Sequence, residues 1–236
     1  MESKPKLLTA LDVISALGLL AASLMVFVYA PVEAVMGPVQ KVFYFHVAAG
    51  WVGMLSFLFA AVVGGVYLRT GNLKWDRLSV AGIELGLVFS FVNVVTGAIW
   101  ARPIWNTWWT WDPRLTTAAI MLLIYAAYLM LRAGIDEPGK RARFGAIYAI
   151  VGFISVPLTF FSIRLSRTIH PVVIGSSDPE ALGKFNMTGA MSATFITSLV
   201  VFTVIFVDLL WHRYRLAKLA NRVEIARSPE TAGQGE

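Results

Sequence analysis

The sequence predicts an all-α integral membrane protein, a bundle of six transmembrane helices with both termini in the cytoplasm. Of its 236 residues, 57% are hydrophobic and only 14% are charged. The mean hydropathy is +0.68, far above the value usual for a soluble domain. Two further observations, the length of the apolar runs and the distribution of lysine and arginine, support the same fold class.

Six apolar runs are long enough to cross about 30 Å of hydrocarbon, which takes roughly 20 helical residues. The predicted spans are approximately 8–30, 42–68, 78–100, 116–131, 144–163 and 187–211. The first run exceeds the apolar core of a signal peptide and is predicted to remain as an uncleaved span. The connections are too short for a separate soluble domain. Residues 1–226 are therefore predicted to form one transmembrane domain, and the polar residues 227–236 a disordered cytoplasmic tail.

Lysine and arginine are distributed unequally between the two sides of this bundle. Fourteen of the 20 cations fall on the termini, the second loop and the fourth loop. The other six are Lys41, Arg102, Arg114, Arg164, Arg167 and Lys184. The positive-inside rule places the richer side in the cytoplasm. Cations beside anionic lipid then account for the formal charge of +6, and no nucleic-acid partner is needed.

Cysteine is absent from the chain. Its absence excludes covalent haem attachment through Cys-x-x-Cys-His, thiol redox chemistry, iron–sulfur clusters and disulfides.

A tryptophan-rich stretch, "WNTWWTWDPRLT", lies in the third loop, which the topology places outside. Five of the eight tryptophans gather on this side; they are Trp100, Trp105, Trp108, Trp109 and Trp111. An interfacial aromatic belt would scatter them singly over several span ends. If the stretch were helical, Trp105, Trp108, Trp109 and Asp112 would share one face and could form a platform on the membrane. Asp112 followed by Pro113 is a helix-start signal, which predicts that the fourth span begins there.

Two of the three histidines lie on the same side as this loop. His46, in "KVFYFHVAAGW", is near the outer end of the second span, and His170, in "RLSRTIHPVV", is in the fifth loop. His212 falls on the opposite side. Two neutral imidazoles are what a six-coordinate haem iron takes as axial ligands, whereas zinc would require three or four ligands. An outward site of this kind suits a haem that must leave again.

The neighbouring side chains fit the rest of a haem. Indole rings offer a flat apolar surface to a porphyrin, and arginine pairs well with a propionate carboxylate. The candidate propionate partners are Arg102, Arg114, Arg164 and Arg167.

Glu84 is the one carboxyl in the interior of the third span, about two turns from its cytoplasmic end. Ionisable groups at this depth usually face the bundle and often serve function. The alternative is a protonated glutamate that is hydrogen-bonded between helices. Gly82 and Gly86 form a small-xxx-small pair that permits close helix approach. Further along the span, interhelical hydrogen bonds are expected from Ser90, Asn93 and Thr96.

These segments together resemble a known family. "WNTWWTWDPRLT" is similar to the WWD signature of haem-handling proteins in cytochrome c biogenesis. With both histidine segments in register, nearly the whole chain resembles the cytochrome c maturation protein C family (CcmC, haem exporter protein C). The resemblance is looser at Asn106, where the family commonly has glycine. The chain lacks the extra spans and histidines of the larger WWD relatives, which argues against a complete cytochrome c synthase.

The resemblance implies a haem-handling and transfer component of the bacterial inner membrane rather than a stand-alone catalyst. Haem b would bind non-covalently and transiently on the periplasmic face, with His46 and His170 as axial ligands. The platform for haem and chaperone would consist of Trp105, Trp108, Trp109, Trp111 and Asp112, and the nearby cations are Arg102, Arg114 and Arg167. The implied partners are an ABC transporter ATPase and membrane subunit (CcmA-like and CcmB-like), a small single-span subunit (CcmD-like) and the haem chaperone CcmE.

Two other functions remain open at this point. An electron-transfer subunit would hold haem b permanently, although such proteins usually place histidine pairs inside their spans and this chain has no histidine at mid-membrane. A docking or permease subunit would use the tryptophan loop to bind protein alone.

Overall fold

The computed structural model describes residues 3–171 and 187–227, and these two ranges contain helices and no β-strand. The α-helices are α1 (Lys6–Leu24), α2 (Lys41–Thr70), α3 (Leu73–Trp105), α4 (Pro113–Ala133), α5 (Pro138–Gly152), α6 (Ser155–Leu165) and α7 (Gly189–Arg227).

Six segments in the described ranges are long and apolar enough to cross a membrane, as the sequence predicts. α2, α3, α4 and α7 each provide one. α1 extends through a π-helical turn at Met25–Tyr29 to provide another, and α5 and α6 together form the fifth. The predicted tail, residues 227–236, lies outside the described residues apart from the last position of α7.

The fifth span is broken, a feature that hydropathy alone does not predict. α5 ends at Gly152 and α6 begins at Ser155. Pro157 explains the interruption, because it has no N–H to donate to the carbonyl four residues earlier, that of Phe153, and its ring clashes with that carbonyl.

Two helices extend beyond their apolar runs. α3 continues to Trp105 rather than ending near residue 100, and α7 continues to Arg227 rather than ending near residue 211. At 1.5 Å per residue, the 39 residues of α7 span about 58 Å, well over the roughly 30 Å of hydrocarbon. Hydropathy locates the part of a helix inside lipid, and the helical hydrogen bonds continue past it.

The centre of the bundle is the antiparallel pair of α2 and α3, and α2 also packs against α5 and α7. A Cβ on Gly86 would lie 2.5 Å from the ring of Phe57, so this close approach requires glycine. The same ring stacks on Tyr125 of α4 with centroids 3.6 Å apart. The small-residue pair predicted at Gly82 and Gly86 is therefore a helix contact.

Two ion pairs join helices at the end of the bundle remote from His46. Arg132 of α4 donates to both carboxylate oxygens of Asp76 on α3, at 2.7 and 3.0 Å. Arg213 of α7 pairs with Glu84 on α3 at 2.5 and 2.7 Å. Glu84 thus faces a neighbouring helix, as expected for an ionisable group at this depth, and contacts Arg213 there.

Candidate functional site

His46 lies on the second turn of α2, with its ring against Gly97 of α3. A Cβ at Gly97 would be 2.9 Å from Cε1 of His46, closer than Cβ atoms come to their neighbours in real structures. The missing side chain at this position makes the space that the imidazole occupies.

The hydrogen bonds of His46 determine which ring nitrogen is free. Its Nδ1 lies 2.8 Å from the backbone carbonyl oxygen of Asn93. Because a carbonyl can only accept, Nδ1 carries the proton and donates, which leaves the lone pair on Nε2. The amide of Asn93 donates in turn to the backbone oxygen of His46, 2.7 Å away. Metal-binding histidines commonly donate their other ring N–H to such a carbonyl, and this hydrogen bond orients the ring.

His170 follows the same pattern from the segment after α6. Its Nδ1 lies 2.9 Å from the carbonyl oxygen of Pro171, and its backbone N–H donates to the hydroxyl of Thr168 at 3.0 Å. The centroids of the His46 and His170 rings are 6.4 Å apart. The structure therefore brings together two imidazoles that each have Nδ1 engaged and Nε2 available as a ligand.

Asp112 connects the start of α4 to the His170 segment. Its carboxylate caps α4 by accepting from the N–H of Arg114 at 2.9 Å, and the helix begins at Pro113 as predicted. The same carboxylate accepts from the Thr168 hydroxyl at 2.7 Å and from the Ile169 N–H at 2.9 Å. One side chain thus starts the fourth span and holds the segment that carries the second histidine.

The tryptophan loop is not a helix. Asn106 adopts a left-handed conformation with φ of 55°, which ends α3 at Trp105. Asparagine tolerates this region better than most residues do, and glycine better still. Arg102 donates to the backbone and side-chain oxygens of Asn106 at 2.6 and 2.7 Å. Because residues 106–112 lack helical structure, the single helical face suggested for Trp105, Trp108, Trp109 and Asp112 does not form.

The two histidines line a narrow cleft with a volume of about 50 Å³. Trp105 stands edge-on to His170 at 6.2 Å and to Trp100 at 5.2 Å. The predicted residues that line the cleft are His46, His170, Trp105, Trp108, Trp109 and Arg114.

The remaining candidates do not line the cleft. Trp111 is 77% exposed and stands edge-on to Trp109. Arg102, Arg164 and Arg167 are exposed and do not line the cleft. Among the described residues, Arg114 is the only cation in the lining, and its guanidinium donates to the carbonyl oxygen of Thr159 on α6.

His46 and His170 would be the residues that hold a metal, through their two Nε2 atoms. Metal–imidazole bonds are roughly 2 Å long, so the two rings must lie close together to share one metal. The observed separation is 6.4 Å. The cleft itself is smaller than ligand pockets, which start near 300 Å³. A tetrapyrrole would therefore require the indoles to move outward, and Trp108, which is 58% exposed, has room to do so.

The environment keeps His170 neutral. Burial, together with the charge of Arg114 and the neighbouring His46, lowers the pKa of His170 to about 3. An imidazole ligates through the neutral form, so at neutral pH no proton competes for Nε2 of this residue.

Sequence reasoning missed the residues that orient the histidines. Asn93 was expected to bridge helices, and it does so through His46, which its polarity alone does not reveal. Thr168 and Gly97 carried no signal by themselves, because their contacts arise only when α3, α4 and the His170 segment come together.

Comparison with known proteins bears on the origin of this arrangement. The family model described as "Heme exporter protein C" (CcmC) matches residues 1–228. The chain is 28% identical to Heme exporter protein C of Bradyrhizobium diazoefficiens over 93% of this chain and 78% of the relative. With the protein of that name from Rhodobacter capsulatus, it shares 28% identity over 98% of this chain and 94% of the relative. With that of Escherichia coli, it shares 32% identity over 61% of this chain and 59% of the relative.

The family match covers the helix pair that holds His46, the tryptophan loop, and the segment that carries His170. The chain therefore belongs to the Heme exporter protein C (CcmC) family.

Proposed function

We propose that this chain is a haem-handling component of cytochrome c biogenesis that binds haem b transiently and non-covalently between His46 and His170. The observation that carries the proposal is the pair of imidazoles 6.4 Å apart, each with Nδ1 held by a backbone carbonyl and Nε2 available. The curated relatives named Heme exporter protein C support haem as the cargo.

The cleft walls supply the other contacts that haem needs. Trp105, Trp108 and Trp109 offer apolar faces to the porphyrin, and Arg114 offers one buried positive charge to a propionate. We assign the exposed Arg102 and Arg167 to a carboxylate that reaches solvent. A site closed by exposed indoles and open at its rim suits a cargo that is passed on.

Transfer to a partner completes the proposal. We assign Trp111 and Trp108, which are 77% and 58% exposed, to the contact with the haem chaperone CcmE. Exposed indoles beside a polar rim are typical anchors of protein interfaces. The ABC transporter subunits (CcmA-like and CcmB-like) and the small CcmD-like subunit are proposed as the assembly in which the transfer occurs.

The proposed location is a bacterial inner membrane, with the cleft facing the periplasm. The support is the bias of lysine and arginine toward the opposite end of the bundle. Residues 1–226 would act as one haem-handling domain.

An absorption spectrum of the purified chain tests the ligands. Wild-type protein should show a Soret band that His46→Ala and His170→Ala each reduce by at least about tenfold in retained haem. His212→Ala is the matched control, because this histidine contacts Asp12 at the other end of the bundle. Full haem retention in both cleft variants would refute axial ligation.

A double variant separates haem presentation from protein docking. Trp108→Ala with Trp109→Ala should lose both haem and CcmE association, because the haem itself would bridge the two proteins. Trp51→Ala changes a tryptophan of α2 whose indole N–H donates to the hydroxyl of Thr203, away from the cleft, and this variant should lose neither. Loss of association with haem fully retained would favour a docking subunit instead.

A further inference from the structure

A second, larger cavity lies at the end of the bundle opposite the histidine cleft. Its volume is about 640 Å³, and α3, α4, α5 and α7 enclose it. Arg77 lines it on α3, sixteen residues before Asn93, which contacts His46. At 1.5 Å per residue, the two sites are about 24 Å apart along α3.

Four arginines and two carboxylates line this cavity, so its charges do not balance. Two of the arginines are neutralised, since Arg132 pairs with Asp76 and Arg213 pairs with Glu84.

Arg77 and Arg141 have no such partner within residues 3–171 and 187–227. Both side chains are half-buried, and Nε of Arg77 is inaccessible to water and makes no hydrogen bond. An N–H group shielded from water without an acceptor, as Nε of Arg77 is, is costly, and an anion bound between the two helices would relieve that cost. The two free positive charges match a ligand with two anionic groups.

Apart from Asn221, the remaining walls are apolar, and they include Leu73, Val80 and Leu129. These residues lie on helices that are long and apolar enough to cross a membrane, and Leu73 and Leu129 lie near the ends of theirs. The ligand must therefore combine a doubly anionic head with a hydrocarbon body.

We propose that this cavity is a binding site for an anionic phospholipid that carries two phosphates, held by Arg77 and Arg141. Phosphate oxygens match the forked donors of arginine, and basic pockets between transmembrane helices on the cytoplasmic side are suited to such headgroups. The lysine and arginine bias predicts that this end of the bundle is the cytoplasmic one. Phosphates would anchor to α3 and α5, and the acyl chains would cover the apolar wall.

Native mass spectrometry of the detergent-purified full chain tests the site with three lipids: cardiolipin, phosphatidylglycerol and phosphatidylcholine. Cardiolipin should be retained best and phosphatidylcholine least. Each arginine near the membrane surface contributes about 1 kcal/mol to binding of an anionic lipid. Since about 1.4 kcal/mol corresponds to a tenfold change in affinity, the double variant Arg77→Gln with Arg141→Gln should bind cardiolipin about 30-fold more weakly.

A matched control has the same loss of charge on the same two helices. Lys74→Gln with Arg143→Gln removes two exposed cations that do not line the cavity, and cardiolipin binding should stay within about twofold. Arg77→Lys with Arg141→Lys keeps both charges and should retain most of the binding. Equal binding by the glutamine double variant and its control would overturn the proposal.

Two further experiments test whether another anionic ligand, inorganic phosphate or haem, occupies the cavity instead of a lipid. Inorganic phosphate should not displace cardiolipin, because it cannot fill the apolar wall; displacement would overturn the assignment to a lipid. Haem titration should give the same Soret band in the variant Arg77→Gln with Arg141→Gln and in the control Lys74→Gln with Arg143→Gln. A band lost only in Arg77→Gln with Arg141→Gln would mean that the cavity takes a porphyrin dicarboxylate instead. The lipid result does not depend on the histidine cleft, so either proposal can fail alone.

Discussion

The position of the His46 imidazole depends on two residues of α3 that are not ligands. Gly97 leaves space for the ring, and the backbone carbonyl of Asn93 selects the tautomer. Asp112 holds the segment that carries His170 through Thr168 and Ile169. At the scale of residues, the site is a set of orienting contacts around two neutral rings.

Gly97→Ala should displace the imidazole of His46. The new Cβ would meet Cε1 at 2.9 Å, so the ring must move away from the Asn93 carbonyl. Because loss of an orienting contact typically costs 10- to 100-fold in metal affinity, retained haem should fall by about tenfold or more. Gly65→Ala adds the same methyl to α2 where nothing lies within 4 Å, and its Soret band should match wild type.

Asp112→Asn should separate helix capping from the positioning of His170. Asparagine caps helices as well as aspartate, so α4 should still begin at Pro113. An amide has only one acceptor oxygen, so it cannot serve Arg114, Thr168 and Ile169 from two oxygens as the carboxylate does. Haem affinity should drop about tenfold or more with little change in helix content, measured by titration and circular dichroism.

Glu137→Gln is the control for that experiment. Glu137 caps α5 through Gly139 and Lys140 and has no contact with the cleft. Its haem affinity should equal that of wild type. An Asp112→Asn protein that bound haem normally would show that Asp112 acts only as a cap.

At the scale of elements, charged pairs join helices that the apolar core already brings together. Asp76 and Arg132 link α3 to α4 and are only 11% and 12% exposed in their side chains. Glu84 and Arg213 link α3 to α7 and are about one-third exposed. Their different burial predicts different energetic consequences.

Asp76→Asn should be strongly destabilising, because it leaves the shielded guanidinium of Arg132 without its carboxylate. Breaking a buried pair on one side typically costs about 3–5 kcal/mol. Removing both charges, with Asp76→Asn and Arg132→Gln together, should cost less than the sum of the single changes. Glu84→Gln should cost no more than about 1 kcal/mol, because its pair is more exposed. Reversible unfolding in mixed detergent measures all four variants, and an additive double variant would contradict the pairing argument.

At the scale of the whole molecule, the bundle has two chemically different ends. One carries neutral histidines and exposed indoles, and the other carries arginines and carboxylates around the larger cavity. The separation follows from α3, which contributes Trp100 and Trp105 to one end and Arg77 to the other.

The absence of cysteine makes this polarity directly measurable. Val35→Cys introduces a thiol in the first loop, at a position that is 74% exposed, and Lys140→Cys places one at the start of α5. A membrane-impermeant thiol reagent added to intact cells should label the first variant. It should label the second only after the membrane is permeabilised. The reverse pattern would invert the topology and put the histidine cleft in the cytoplasm.

Much of this molecule could be predicted from local sequence. Hydropathy located all six spans because lipid requires about 20 consecutive apolar residues regardless of the neighbours. The Asp112–Pro113 start of α4 was equally predictable, since a cap depends on adjacent residues. Proximity of the two histidines followed from topology, which assigned both to one side.

The tertiary structure alone decided the pairings. Arg213 pairs with Glu84 across 129 residues, and the Thr168 hydroxyl reaches Asp112 across 56. Separations of this length follow no helix or strand periodicity, so no sequence pattern predicts either pairing. The sequence by itself determined which residues enter the membrane and which end carries imidazoles and indoles, because those depend on transfer from water to lipid. Helix packing determined which nitrogen of His46 is free and which arginines lack a partner, because hydrogen bonds and ion pairs act over a few ångströms between residues far apart in the chain.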